Sequence, residues 1–365
     1  MKGIKFIGNP QDHTGYGRAS LNTILAILSA KIPIMVENRS FVAREARIPL
    51  PNELVSLIKP QIPYSHVIVQ LTPEFFSRAK ETGKTNIGYF FWETDKLPVS
   101  WTRACNTMDE IWVPCESNRL ACLNSGVVVP IRIVPQAMSL HTHTRKILIP
   151  KVDKQTYIFY SIFQWTERKN PKCMLQAYWS AFTKNDNVML VLKAYGADDS
   201  PSSINLIKNT IGRYKAEIAE GKSLHDLPPV YLLPKIISDD DIACLHNTGH
   251  CLVSTARGEG WNMSAATAIL MNKPIISSVY GGVVDFFDQT EYYAVNSNGM
   301  IPVSGMPWIK WYTSDQHWDD PNCASVARLM REVFNEQTKI VQYRDIGMDI
   351  ASVGQLIGRL IGVHQ

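Results

Sequence analysis

Short apolar runs recur along this chain with stretches of helical spacing between them, and the series starts twice. Residues 4–8, 33–37, 66–70, 86–92, 110–114 and 131–135 read as strands. Residues 18–30 place Leu21, Ile24, Leu25 and Leu28 on one side of a helix, and 52–58 and 117–124 read as further helices. A polar, basic stretch over 141–154 interrupts the series. It then resumes, with strands expected at 156–163, 187–194, 230–233, 249–254 and 274–278 and helices at 171–182 and 203–220. Strand and helix alternating in this way predict a mostly parallel sheet covered on both faces. Two such units end to end suit 365 residues, which is too long for one ordinary core. The expected division is 1–150, 151–340 and a helical tail, 341–365, with a further helix at 324–335. No short repeat is present.

The composition is that of a folded protein, with 45% hydrophobic and 19% charged residues. Lys and Arg number 37 against 33 acids, a net charge of +4. That mild excess suits a protein that meets phosphates, and it is not the basic stripe of a duplex-DNA binder. The seven cysteines are scattered with no Cys-x-x-Cys, which predicts reduced thiols and a cytoplasmic protein. The first residues lack the apolar core of a signal peptide, and no run is long enough to span a bilayer.

Three segments carry chemistry. Thr14-Gly15-Tyr16-Gly17-Arg18 lies between the first strand and the first helix. Gly15 and Gly17 would let backbone amides approach a ligand, and a helix start favours an anion; a plain turn is the alternative. Gln164-Trp165-Thr166-Glu167-Arg168-Lys169-Asn170-Pro171 leaves the first strand of the second series. Arg168 and Lys169 there put two cations at a strand's carboxyl end, where open α/β sheets bind phosphates. The third segment is the most specific: Arg257-Gly258-Glu259-Gly260-Trp261-Asn262-Met263, then Thr267-Ala268, Lys273-Pro274-Ile275-Ile276 and Gly281-Gly282. Amides of Gly260, Trp261 and Asn262 would hold a diphosphate or sugar hydroxyls. Glu259, out of place beside phosphate, makes sense as an acceptor of hydrogen bonds from sugar hydroxyls.

This third segment resembles the signature of glycosyltransferase family 4, retaining enzymes of GT-B architecture. The 164–171 stretch is similar to that family's diphosphate turn. Tyr89-Phe90-Phe91-Trp92-Glu93-Thr94, Asp109-Glu110-Ile111-Trp112-Val113-Pro114 and Val134-Pro135 resemble its N-terminal half. The resemblance implies two Rossmann-like domains facing across a cleft, an N-terminal acceptor domain, a C-terminal nucleotide-sugar donor domain, and a final helix crossing back to the first domain. It implies that Glu259 holds the transferred sugar and that Arg168 and Lys169 bind the diphosphate of a nucleoside-diphosphate sugar. That sugar nucleotide would be co-substrate, with no cofactor and no metal, and Gly15–Gly17 would face it. Transfer to an acceptor hydroxyl would proceed with retention. Three positions depart from the pattern: Thr267 replaces a second Glu that holds the ribose, Asn262 replaces a Gly, and Gln164 replaces an Arg. Glu93 stands at the end of a strand where many relatives have His. It would take a proton from the acceptor or orient the sugar, with a structural capping carboxylate as the alternative.

The acceptor is open: a glycan, a lipid-linked saccharide, a small molecule or a modified nucleic-acid base. A weak or inactive nucleotide-sugar-binding relative serving as a partner subunit is the alternative reading. Asp239-Asp240-Asp241 is expected in the first turn of a helix, and His141-Thr-His143 in a linker. Trp308, Trp311 and Trp318 read as packing residues, with an acceptor path as the other reading.

Overall fold

The computed structural model describes residues 3–43, 47–58, 60–140, 145–150, 152–196, 198, 200–219, 223–287, 293–336 and 345–362. The expected linker pair His141 and His143, and residues 341–344 of the expected tail, lie outside the described residues. Two compact units are present, Met1–Ser139 together with Asp345–Gln365, and Leu140–Arg344.

The first unit contains β1 (Gly3–Gly8), α1 (Gly15–Ser29), β2 (Ile34–Asn38), α2 (Asn52–Leu57), β3 (Tyr64–Val69), α3 (Phe76–Ala79), β4 (Thr85–Tyr89), α4 (Val99–Cys105), β5 (Glu110–Val113), α5 (Glu116–Asn124) and β6 (Ile131–Ile133). Its strands form one parallel sheet in the order β2-β1-β3-β4-β5-β6. Ile4, Phe6, Val67, Ile68, Ile87 and Ile111 are buried in it, as the near-continuous apolar runs of a sheet covered on both faces require. The order reverses between β1 and β3, which opens a crevice at their carboxyl ends.

The second unit repeats the plan with β7 (Tyr157–Gln164), α6 (Pro171–Ala181), β8 (Val188–Tyr195), α7 (Pro201–Ala219), β9 (Val230–Leu233), α8 (Asp239–Thr248), β10 (Cys251–Ser254), α9 (Met263–Leu270), β11 (Ile275–Ser278), α10 (Val283–Phe286) and β12 (Tyr293–Val295). The parallel order is β12-β11-β10-β7-β8-β9, so the reversal falls between β7 and β10. A hairpin, β13 (Ser297–Pro302) and β14 (His317–Pro321), follows, and then α11 (Cys323–Glu336). Phe159, Leu190, Leu192 and Val253 from the sheet share a core with Met174 and Tyr178 of α6 and with Val326 and Met330 of α11.

The last helix, α12 (Ile350–Leu360), returns to the first unit and lies on α1. Asp349 caps it, accepting from the amides of Ala351 at 2.9 Å and Ser352 at 3.0 Å. The helix of the expected tail, 341–365, therefore starts only at Ile350. The contact is close because Gly354 has no side chain: a Cβ there would stand 2.5 Å from Ser29 Oγ and closer still to the Ala26 carbonyl oxygen.

Three sequence expectations need correction. The chain turns out of the sheet after Phe90, whose amide still donates to the Trp112 carbonyl at 3.3 Å, because the Trp92 amide donates to Asn118 Oδ1 at 2.8 Å and its indole to the Lys96 carbonyl at 2.6 Å. The β13–β14 hairpin was not foreseen. The cysteines are not all reduced: α6 and α11 bring Cys173 and Cys323 together, Cα atoms 5.3 Å apart, in a disulfide. The other five are buried thiols.

Candidate active site

The carboxyl ends of β7 and β10 carry the second and third motifs to one place. After β7 the chain makes a single 3-10 turn, Glu167–Lys169, and enters α6 through Asn170, which is left-handed at φ +50°. After β10, Thr255 Oγ1 donates to the Asn170 carbonyl at 3.0 Å, and the Arg257 amide donates to the Arg168 carbonyl at 2.7 Å. The two loops are thus stitched by both side chain and backbone.

Glu259 is the centre of this crossing. Arg168 Nη1 donates to Glu259 Oε2 at 3.1 Å and to the Gly258 carbonyl at 2.7 Å, and Lys169 Nζ pairs with Glu259 Oε1. Glu259 is only 9% exposed. Burial pushes its carboxyl up, but Lys169 and Arg168 more than offset this and hold it below the ordinary carboxylate value. Gly281 and Gly282 close over its backbone. Gly281 sits at φ +86°, its own Cβ position inside contact distance of the Glu259 carbonyl oxygen, and the Gly282 amide donates to that oxygen at 3.0 Å. Close approach therefore requires both glycines, and the left-handed backbone requires the one at 281 as well.

Asn262 is also left-handed, at φ +69°, and caps α9: its Oδ1 accepts from the Ala265 amide at 3.2 Å and its Nδ2 donates to Ser254 Oγ at 3.1 Å. Glycine is the default in that conformation and Asn the side chain that tolerates it best, so the departure at 262 keeps the backbone shape. Trp261 is buried with its ring 5.0 Å from that of Phe286, and its Nε1 has no hydrogen-bond partner among the described residues. Thr267 is half-buried, one turn into α9. Gln164 is exposed, reaching the Gly196 carbonyl at 3.4 Å. Ser161, Lys169, Ser254, Glu259, Asn262 and Ser264 line a recess at this edge of the sheet.

The remaining expected residues lie in the first unit. Thr14 caps α1, accepting from the Gly17 amide at 3.1 Å. A Cβ at Gly17 would collide with the Asp12 carbonyl, so this glycine serves packing. Gly15 is exposed. Tyr16, between them, accepts from the Phe91 amide at 3.1 Å and packs edge-on to the Phe91 ring at 5.3 Å. That ties the glycine loop to the segment after β4 that holds Glu93. Burial raises the Tyr16 phenol well above its ordinary value, and Glu93 and Glu74 add to the rise. Gly15, Gly17 and Glu93 are thus gathered at the carboxyl end of one sheet.

No protein-family model matches the sequence, and no curated protein matches it. Among solved structures, sucrose-phosphate synthase from Thermosynechococcus elongatus is similar over 99% of this chain and 98% of its own, at 12% identity and TM-score 0.60. The trehalose-6-phosphate synthase OtsA is similar over 100% of both chains, at 10% identity and TM-score 0.59. A mutant of S. aureus TarM, in complex with Fondaparinux, alpha-GlcNAc-glycerol and UDP, is similar over 81% of this chain and 51% of its own, at 16% identity and TM-score 0.50. The chain spans about half the length of TarM.

The fold is that of the GT-B glycosyltransferases.

Residues that the motifs concealed complete the site. Arg257 pairs with Asp320 of β14 and, at 3.4 Å, with Glu167, so the unforeseen hairpin is anchored to the motif loops. An Arg beside Gly-Glu-Gly was visible in the sequence; its partner, 63 residues away, was not. Ser238 caps α8 by accepting from the Asp241 amide at 3.1 Å, which accounts for the acids in its first turn. Among the described residues, no group of three or more His, Cys, Asp and Glu side chains is placed to hold a metal ion, and no helix is long and apolar enough to cross a membrane.

Proposed function

We propose that this chain is a retaining, metal-independent glycosyltransferase that moves a sugar from a nucleoside-diphosphate sugar to an acceptor hydroxyl. The observation that carries the reading is the convergence of Arg168 and Lys169 on Glu259 at the carboxyl ends of β7 and β10. Two cations against one carboxylate leave one positive charge in excess. A departing diphosphate gathers negative charge in the transition state, and fixed cations in a poorly solvated place stabilise it without a metal. In this reading Glu259 binds hydroxyls of the transferred sugar, Asn262 and the loop backbone at Gly260 and Trp261 help to hold the donor, and Thr267 meets the ribose with one hydroxyl. The acceptor attacks from the face the diphosphate leaves, and the leaving phosphate takes its proton. The first unit takes the acceptor, Glu93 orients the sugar, and Gly15 and Gly17 are donor-binding residues.

The fold likeness supports this reading, since similar chains include synthases of sugar phosphates and a TarM in complex with UDP. The test is a thermal-shift panel of nucleoside diphosphates and sugar nucleotides. A ligand at about 100 times its Kd should add ~2.7 kcal/mol of stability. One nucleotide family giving a clear shift that Arg168→Ala abolishes is the expected result. A well-folded protein shifted by none of them overturns the proposal.

A further inference from the structure

Gln70 is the first residue past β3, and its backbone amide donates to the Ile7 carbonyl of β1 at 2.8 Å. It therefore spans the reversal of strand order in the first sheet, the place where an open α/β sheet binds its ligand. The side chain is fully buried, and neither Nε2 nor Oε1 has a hydrogen-bond partner among the described residues. Buried carboxamides are nearly always paired, because an unpaired one loses its hydration with nothing in return.

The polar groups just past β1 are treated differently. Asn9 Nδ2 donates to Asp12 Oδ2 at 3.0 Å, Ser20 Oγ to Asn9 Oδ1 at 3.0 Å, and the Phe41 amide to Asp12 Oδ2 at 2.9 Å. Asn9, Asp12 and Ser20 are buried and satisfied by one another, and Gln70 takes no part in their network. Glu74, four residues beyond Gln70, also keeps a buried oxygen, Oε2, without a partner among the described residues. Its charge, with that of Glu93, is felt by the Tyr16 phenol at the start of α1. The segment after β3 thus holds three unpartnered atoms, one that donates and two that accept.

Resting on the glycosyltransferase reading, with its acceptor in the first unit, we propose that Gln70 binds the acceptor, and that the acceptor meets it with two adjacent uncharged hydroxyls, the vicinal diol of a sugar ring. A carboxamide presents a donor and an acceptor side by side in one plane. Neighbouring hydroxyls satisfy both, one accepting from Nε2 and the other donating to Oε1. A phosphate only accepts, so it would leave Oε1 unpaired, and Glu74 would repel it. The same repulsion disfavours a nucleic-acid backbone. Because Gln70 is covered in the empty protein, the diol is admitted by a local opening, which a ligand favours only by binding the opened form more tightly.

The experiment is saturation-transfer NMR of the full chain, Gln70→Met and Gln70→Leu, with UDP present. Methyl α-glucoside, methyl α-mannoside and methyl α-galactoside are the neutral probes, and glucose 6-phosphate and mannose 6-phosphate the anionic ones. Melting temperatures with and without UDP are measured alongside. The proposal expects the wild type to bind at least one neutral glycoside and the variants to bind it about tenfold or more weakly. It also expects a Tm no lower than the wild type's in at least one variant, because replacing an unpaired buried amide by an apolar group of similar shape is neutral or stabilising. It is overturned by a Tm lowered in both variants, the mark of a group that holds structural water. It is overturned equally by unchanged glycoside binding in the variants, or by a wild type that binds no glycoside or binds the phosphates more tightly. No UDP shift in the wild type is a separate outcome, which overturns the glycosyltransferase reading itself.

Discussion

The backbone amide of Arg257 donates to the carbonyl oxygen of Arg168 at 2.7 Å. This one bond joins the loop that supplies the cations to the loop that supplies Glu259, so the charges are held by main chain before any side chain pairs. A site built this way is preorganised, and its parts can be altered separately.

Glu259→Gln removes the charge while keeping much of the shape. Arg168 and Lys169 then face the ligand without a competing carboxylate. Nucleoside-diphosphate affinity should rise while turnover falls by about a hundredfold, a loss of ~2.7 kcal/mol of transition-state stabilisation. Breaking a mostly buried ion pair from one side should also lower stability by ~3–5 kcal/mol. Calorimetric titration and steady-state kinetics check both, and unchanged turnover would rule out the role given to Glu259.

Gly281→Ala should be far more damaging than Gly83→Ala. Both glycines have positive φ, +86° and +75°, but the space around Gly83 is open, whereas Gly281 is pressed on the Glu259 backbone. The first cost, about 1–2 kcal/mol, is shared. Only Gly281→Ala should also displace Glu259 and abolish the nucleotide-dependent thermal shift.

Asn262→Gly should be tolerated, because Gly adopts the left-handed backbone freely and loses only a few tenths of a kcal/mol as a cap. Asn262→Ala should lose about 1 kcal/mol from the cap and more from the strained backbone. Chemical denaturation of the pair reads the difference directly.

His246 should make stability depend on pH. It is buried, with its Nδ1 2.9 Å from the Tyr160 hydroxyl, and burial, with a smaller push from Lys273, lowers its pKa from 6.5 to about 3. Between those values the unfolded chain binds a proton that the folded chain does not. The contribution is therefore complete above pH 6.5 and lost as the pH falls towards 3. From pH 7 to 5 it should amount to about 2 kcal/mol, and urea melts of His246→Gln should lack that component.

Thiol titration checks the disulfide. The denatured chain should show five free thiols without reductant, the number outside the Cys173–Cys323 pair, and seven after reduction.

Where the chain's local pattern and its tertiary packing agree, the sequence was informative. The strands at 4–8 and 110–114 are largely buried on both faces and read as apolar runs for that reason. The alternation of motif and helix placed Arg168, Lys169 and Glu259 correctly at strand ends. What escaped was decided by distant partners. Phe90 and Phe91 look like strand, but Asn118 draws Trp92 out of the sheet. β13 is largely solvent-facing, and β14, though mostly buried, carries the polar His317, Asp319 and Asp320, so no apolar alternation announced them. Asn262 looked like a lost glycine until its φ showed that the backbone position had been kept.

The first unit is made of two pieces of chain that the whole second unit separates. During synthesis at ~5–20 residues per second, α1 must wait on the order of tens of seconds for the α12 that covers it. The second unit is continuous and can close as soon as it has emerged. The half of the molecule that is made first is therefore completed last, and in the interval the apolar flank of α1 is a surface on which chaperones, or other nascent chains, can act.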